Sequence, residues 1–161
     1  MGSFLCLNFH CELKISQGGF CFLNSGTISF GDADNIGDQL NSYVKQGGFK
    51  GVKMRVGAMD PSPWHSAERV KAARAALAPD IDLMLDAHGT FTVATAKRFD
   101  SMIEDCDVAW FEEPVIADDK QGMAEVRRSI SIPISAGESE ATRFAFRDLA
   151  LLGAADIFQP D

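Results

Sequence analysis

No apolar run in this chain approaches the roughly 20 residues of a membrane-spanning helix, so a helical span is excluded. A basic excess is missing too. Its 15 lysines and arginines stand against 23 aspartates and glutamates, a formal charge of −8, whereas nucleic acid is met by the opposite balance. No basic n-region with a small-residue cleavage site is evident, so no secretory signal is expected. Met1-Gly2 resembles a myristoylation start, but Cys6 stands where Ser or Thr is required. The four cysteines, Cys6, Cys11, Cys21 and Cys106, show neither CxxC nor zinc-type spacing. They point to a reducing, cytoplasmic setting, or to a foreign N-terminus that holds three of them, rather than to a disulfide framework. No Gly-rich phosphate loop follows the first readable strand, which disfavours an open-sheet nucleotide-binding or receiver-like domain.

What is present is an ordinary globular composition of one-domain length and a repeated motif. Three short apolar runs each end in a carboxylate: Ile81 to Leu85 before Asp86, Val108 to Phe111 before Glu112, and Ile132 to Gly137 before Glu138. The acids are 26 residues apart, the length of a strand, a helix and two short loops. An amphipathic segment fills each gap, so the pattern predicts β-α-β-α-β with an acid at the carboxyl tip of every strand. In a parallel sheet or barrel those tips share the face on which α/β enzymes place their chemistry. Three carboxylates converging there need a cation, and an all-oxygen set suits Mg²⁺ better than Zn²⁺.

Taken in order, residues 1–31 are poorly defined. Phe20 to Leu23 reads as a strand interrupted by glycines, either a distorted first strand or sequence foreign to the domain that occupies 32–161. Ile36, Leu40, Tyr43 and Val44 recur at helical spacing, with Asp34 as N-cap and Gly47-Gly48 as the stop. Phe49 to Val56 predicts a strand in which Lys53 and Arg55 share one side. That side faces either solvent, on an edge strand, or inward, where anionic partners are required. Ser66 is expected to cap a helix ended by Pro79, and Thr92 to open one running from Val93 to Ile103. Helices are also predicted over 121–129 and 141–152, then a last strand over 156–159 and Asp161, 23 residues after Glu138. Trp110 and Phe111 are expected in the core. Five or six parallel strands fit either an open doubly wound sheet or part of a (β/α)8 barrel.

Five motifs in this order narrow the choice: Lys53-Met54-Arg55, Asp86-Ala87-His88, Trp110-Phe111-Glu112-Glu113-Pro114, Gly137-Glu138-Ser139 and Gln159-Pro160-Asp161. Over residues 33 to 161 the chain resembles the barrel of the mandelate racemase and muconate-lactonizing subgroup of the enolase superfamily. The resemblance implies an incomplete TIM-type (β/α)8 barrel and a Mg²⁺ site made by Asp86, Glu112 and Glu138, with Glu113 in a supporting place. It implies removal of the proton next to a substrate carboxylate, the cation stabilising the resulting ene-diolate. Lys53 then supplies positive charge beside that carboxylate. Arg55 stands where many members carry a basic lysine; being always protonated, it suits a clamp better than a base. His88 replaces a common asparagine and either acts on the substrate, as hydrogen-bond donor or acid toward a leaving hydroxyl, or orients a neighbour. Asp161 matches the aspartate of an Asp–His dyad.

The family's capping domain, closing strands and dyad histidine have no counterpart here, so the chain resembles a fragment of such an enzyme. The expected substrate is a small sugar acid and the expected reaction dehydration. Racemisation and a catalytically inactive remnant are the alternatives. A homo-oligomer is expected of a full-length parent.

Overall fold

The computed structural model describes residues 5–7, 10–12, 33–58 and 60–160. The strand expected at Phe20 to Leu23 and the site residue Asp161 lie outside them. Strands β1 (Leu5–Leu7) and β2 (His10–Glu12) pair antiparallel in a separate two-stranded sheet. Helix α1 (Ala33–Gly47) leads into β3 (Gly51–Arg55), and α2 (Pro63–Ala76) into β4 (Asp82–Asp86). Helix α3 (Val93–Met102) and a 3-10 turn (Glu104–Cys106) precede β5 (Val108–Glu112). Then follow α4 (Lys120–Ser129), β6 (Ile134–Ala136), α5 (Thr142–Leu152) and β7 (Ile157–Phe158). No helix among the described residues is long and apolar enough to cross a membrane.

Strands β3 to β7 form one parallel sheet in the order β3-β4-β5-β6-β7. That order decides between the two architectures left open by the strand spacing. A doubly wound sheet reverses its strand order at a switch point. Here each strand lies beside its predecessor, as in an arc of a (β/α)8 barrel, and five strands make the arc.

Alternation along the strands separates two chemistries. Val52, Met54, Leu83, Leu85, Phe111 and Ile134 join the apolar core with residues of the helices, such as Leu40 of α1, Val70 of α2 and Phe99 of α3. Phe91, Phe99 and Phe111 pack there with ring centroids 5.1 to 6.0 Å apart. The residues between them, Lys53, Arg55, Asp86, Trp110 and Glu112, lie on the opposite face. Phe111 is therefore core as expected, but Trp110 is not: it is half-buried on the polar face.

Two helix starts differ from expectation. Asp34 lies inside the first turn of α1 and not at its cap. Helix α2 is capped by Ser62, whose Oγ accepts from the His65 amide, because Pro63 suits the first helical position. Ser66, the expected cap, sits one turn in. Its hydroxyl accepts from the Gly57 amide at 3.1 Å and donates to Asp60 at 2.6 Å, tying the helix to the loop after β3. Thr92 caps α3 as expected, accepting from the Thr95 amide.

Candidate active site

The carboxyl ends of three adjacent strands deliver the charged groups. Arg55 pairs in register with Asp86, and Asp86 with Glu112. Glu112 in turn registers with Ser135 of β6, beyond which Gly137 turns the chain into Glu138. The loop is closed by the Glu140 amide donating to the Gly137 carbonyl at 2.9 Å, and by Lys120 holding Glu140 at 2.7 Å.

Lys53 decides the earlier choice between solvent and interior. It is 5% exposed, on the polar face of the arc, and its Nζ donates to Glu112 Oε2 at 2.6 Å. Glu112, itself 1% exposed, also accepts from Gln159 Nε2 at 3.3 Å. Arg55 is more open, and its guanidinium lies 3.3 Å from Asp86 Oδ2. The other Asp86 oxygen accepts from the His88 amide at 3.0 Å, whereas Oδ2 is buried without a hydrogen bond. His88 has φ +48° and puts its Nδ1 2.8 Å from Glu138 Oε1, joining the loops after β4 and β6.

Burial works against the Lys53 ammonium, yet Glu112, Asp86 and Glu138 together outweigh it and hold its pKa above the ordinary 10.5. The Asp86 carboxyl is displaced upward, first by burial, which Lys53 and Arg55 offset only in part. Glu113, next along the chain, is also raised, by burial and then by the nearby Glu138 carboxylate.

The structure thus brings Lys53, Arg55, Asp86, Glu112, His88 and Glu138 to one rim. Among the described residues, however, the set of ligand atoms that lie within 4.8 Å of one another comes from His88, Glu113 and Glu138. Asp86 and Glu112 instead face the two cations of β3. Glu113, given only a supporting place by the motif, and Gln159, quoted in a motif without a role, both belong to the polar network of the site. Glu113 sits one residue past the strand, where strict alternation would turn it away. Its φ of +36° turns the backbone there, and nothing in the residue type announces that conformation.

One test needs no substrate. An upward-shifted carboxyl disfavours the fold once ionised: the cost is absent below the unfolded value of 3.8 and complete above the folded one. In chelator at pH 7, Asp86→Asn should therefore raise the thermal midpoint, with the gain shrinking as pH falls toward 3.8. A lowered midpoint at pH 7 would show that Lys53 and Arg55 more than offset the burial.

A family model described as enolase C-terminal domain-like matches residues 35–161. Among curated relatives, an arabinonate dehydratase of Saccharolobus solfataricus is 32% identical over 130 residues, 81% of this chain and 34% of its own length. An L-talarate/galactarate dehydratase of Salmonella typhimurium is 32% identical over 143 residues, 88% of this chain and 35% of its own. Among solved structures, a racemase from Streptomyces coelicolor with bound magnesium has a TM-score of 0.80 at 29% identity, covering 87% of this chain and 38% of that one. An enolase from Bradyrhizobium complexed with magnesium and mandelic acid has a TM-score of 0.76 at 32% identity, covering 87% and 37%. The chain spans about a third of the length of these curated relatives. With the motifs in order, the strands in barrel sequence and the family model covering most of the residues, the chain belongs to the enolase C-terminal domain-like family, in the mandelate racemase and muconate-lactonizing branch of the enolase superfamily.

Proposed function

We propose that this rim is the acidic and cationic part of a site that removes the proton next to a substrate carboxylate, and that the outcome is dehydration of a sugar acid. The observation that carries the reading is the buried Lys53–Glu112 pair standing beside Asp86, whose Oδ2 is buried and makes no hydrogen bond. A carboxylate oxygen in that state fits a hard divalent cation. Asp86, Glu112 and Glu138 are the residues proposed to hold Mg²⁺. The solved relatives from Streptomyces coelicolor and Bradyrhizobium hold magnesium. A bound Mg²⁺ would supply positive charge where negative charge develops on the substrate carboxylate.

The chain's own residues divide the remaining work. Lys53 is held charged, so it is a poor base and a fixed counter-charge for the substrate. Arg55, open to the rim, offers two parallel N–H donors to a carboxylate. His88, exposed and steered by Glu138, is placed to give a proton to a departing hydroxyl. Asp161 is proposed, on the motif alone, as the partner of the family's dyad histidine, which would take the proton and whose place no described residue fills. Because the described cations cannot act as bases, racemisation, which needs a base on each face, is disfavoured relative to dehydration.

Mg²⁺ titration calorimetry of the chain and of Asp86→Asn tests the cation site. The substitution is expected to weaken binding roughly tenfold or more, and equal binding would remove Asp86 from it. Turnover on a panel of sugar acids, with and without chelator, tests the reaction. Magnesium-dependent release of a 2-oxo acid would support dehydration. Binding without turnover would favour the non-catalytic reading.

A further inference from the structure

The proposed ligands are not equally free to receive a cation. Glu112 is engaged by Lys53 and Gln159, and Glu138 by His88. Glu113, by contrast, is 2% exposed, and its Oε1 is buried with no hydrogen-bond partner. Its other oxygen accepts only a 3.3 Å hydrogen bond from Ser139 Oγ. A carboxylate buried this deeply normally finds donors for both oxygens. One of its oxygens also belongs to the set of ligand atoms, with His88 and Glu138, that lie within 4.8 Å of one another.

We infer that Glu113 is a direct participant in divalent-cation binding at this rim, offering one oxygen beside Glu138 and the His88 imidazole. The inference rests on the reading that the rim holds a cation. It adds a fourth carboxylate to the three expected from the motifs, with the His88 imidazole held close by through Glu138. Mn²⁺ is a suitable probe, because it takes the carboxylate ligands that suit Mg²⁺ and reports its own binding. The neighbouring Asp86 and Glu112 remain on the side of the β3 cations.

The test is Mn²⁺ binding to the full chain, followed by loss of the free-ion electron paramagnetic resonance signal. Glu113→Gln keeps the shape and removes the charge, and should weaken Mn²⁺ binding by about tenfold or more. Glu113→Asp keeps the charge and shortens the reach, so its affinity should fall between the two. Ser139→Ala, which removes the hydrogen bond and leaves the carboxylate, should bind as the parent does. Parent-like binding by both Glu113 variants would overturn the inference, and so would equal losses in Glu113→Gln and Ser139→Ala, which mark a structural role. Asp86→Asn separates the two readings. If it loses Mn²⁺ while both Glu113 variants keep it, only the Glu113 inference fails. If the parent chain binds no Mn²⁺, the cation reading fails with it.

Discussion

Arg69→Met is expected to destabilise the chain by about 3 to 5 kcal/mol, because it leaves a buried carboxylate without its counter-charge. Arg69 Nη1 donates to both oxygens of Asp60 at 2.9 Å and to the Arg55 carbonyl at 3.2 Å. Both side chains of the pair are almost wholly buried. Ser66 adds a third donor to Asp60, so the pair is the centre of a small polar network beneath the end of β3. Methionine fills similar volume with no donor, and Asp60 then keeps only the Ser66 hydroxyl. Urea unfolding of the single variant and of Asp60→Leu with Arg69→Met measures the effect. The double variant should recover most of the loss, since a well-packed apolar pair often does as well as a buried ion pair. A single-variant loss within about 0.5 kcal/mol, the range of ordinary surface changes, would show that water reaches Asp60 and that the pair is not sealed.

That network was invisible in the sequence for a physical reason. Asp60 sits in an irregular loop and Arg69 mid-helix, with no periodicity linking them, and only the packing of α2 against β3 brings them together. The same holds for Lys53 and Glu112, which are 59 residues apart and meet because β4 lies between their strands. What could be read was whatever repeats. The acids 26 residues apart located the tips of β4 and β5, whereas Glu138, also expected at a strand tip, lies two residues past the end of β6 in the following loop. Alternation put Lys53 and Arg55 on one side, but only the structure shows that side to be polar interior and not solvent. The misplaced cap at Ser66 came from treating a hydroxyl as local when its partners are Gly57 and Asp60. Trp110 was assigned to the core by residue type, although alternation from Phe111 turns it to the other face. The motif gave Glu113 only a supporting place, because its position beside Glu138 and His88 follows from a strained backbone torsion, and no side-chain pattern records a torsion.

Gly137 is where fold and site depend on one another most closely, and Gly137→Ala is expected to harm both. Its φ is +141°, a region that side chains avoid, and an added Cβ would lie 2.9 Å from the Gln159 carbonyl oxygen and 2.8 Å from Phe146. The Gln159 amide makes the last ladder bond to the Ala136 carbonyl, 3.0 Å long. The extra methyl must therefore either push β7 off β6 or rotate the turn that carries Glu138. Torsional strain and overpacking together suggest a loss of about 3 kcal/mol, or roughly 6 to 12 °C in thermal midpoint for a chain of this size. Gly48→Ala is the matched comparison. It too has a positive φ, +63°, but nothing lies within 4 Å of its would-be Cβ, so strain acts there without a clash. Its cost should be about 1 to 2 kcal/mol and should leave Mg²⁺ binding unchanged, whereas Gly137→Ala should weaken it by displacing Glu138. Equal melting losses for the two alanines, with equal Mg²⁺ affinity, would mean that the β6–β7 turn yields freely and does not fix the position of Glu138.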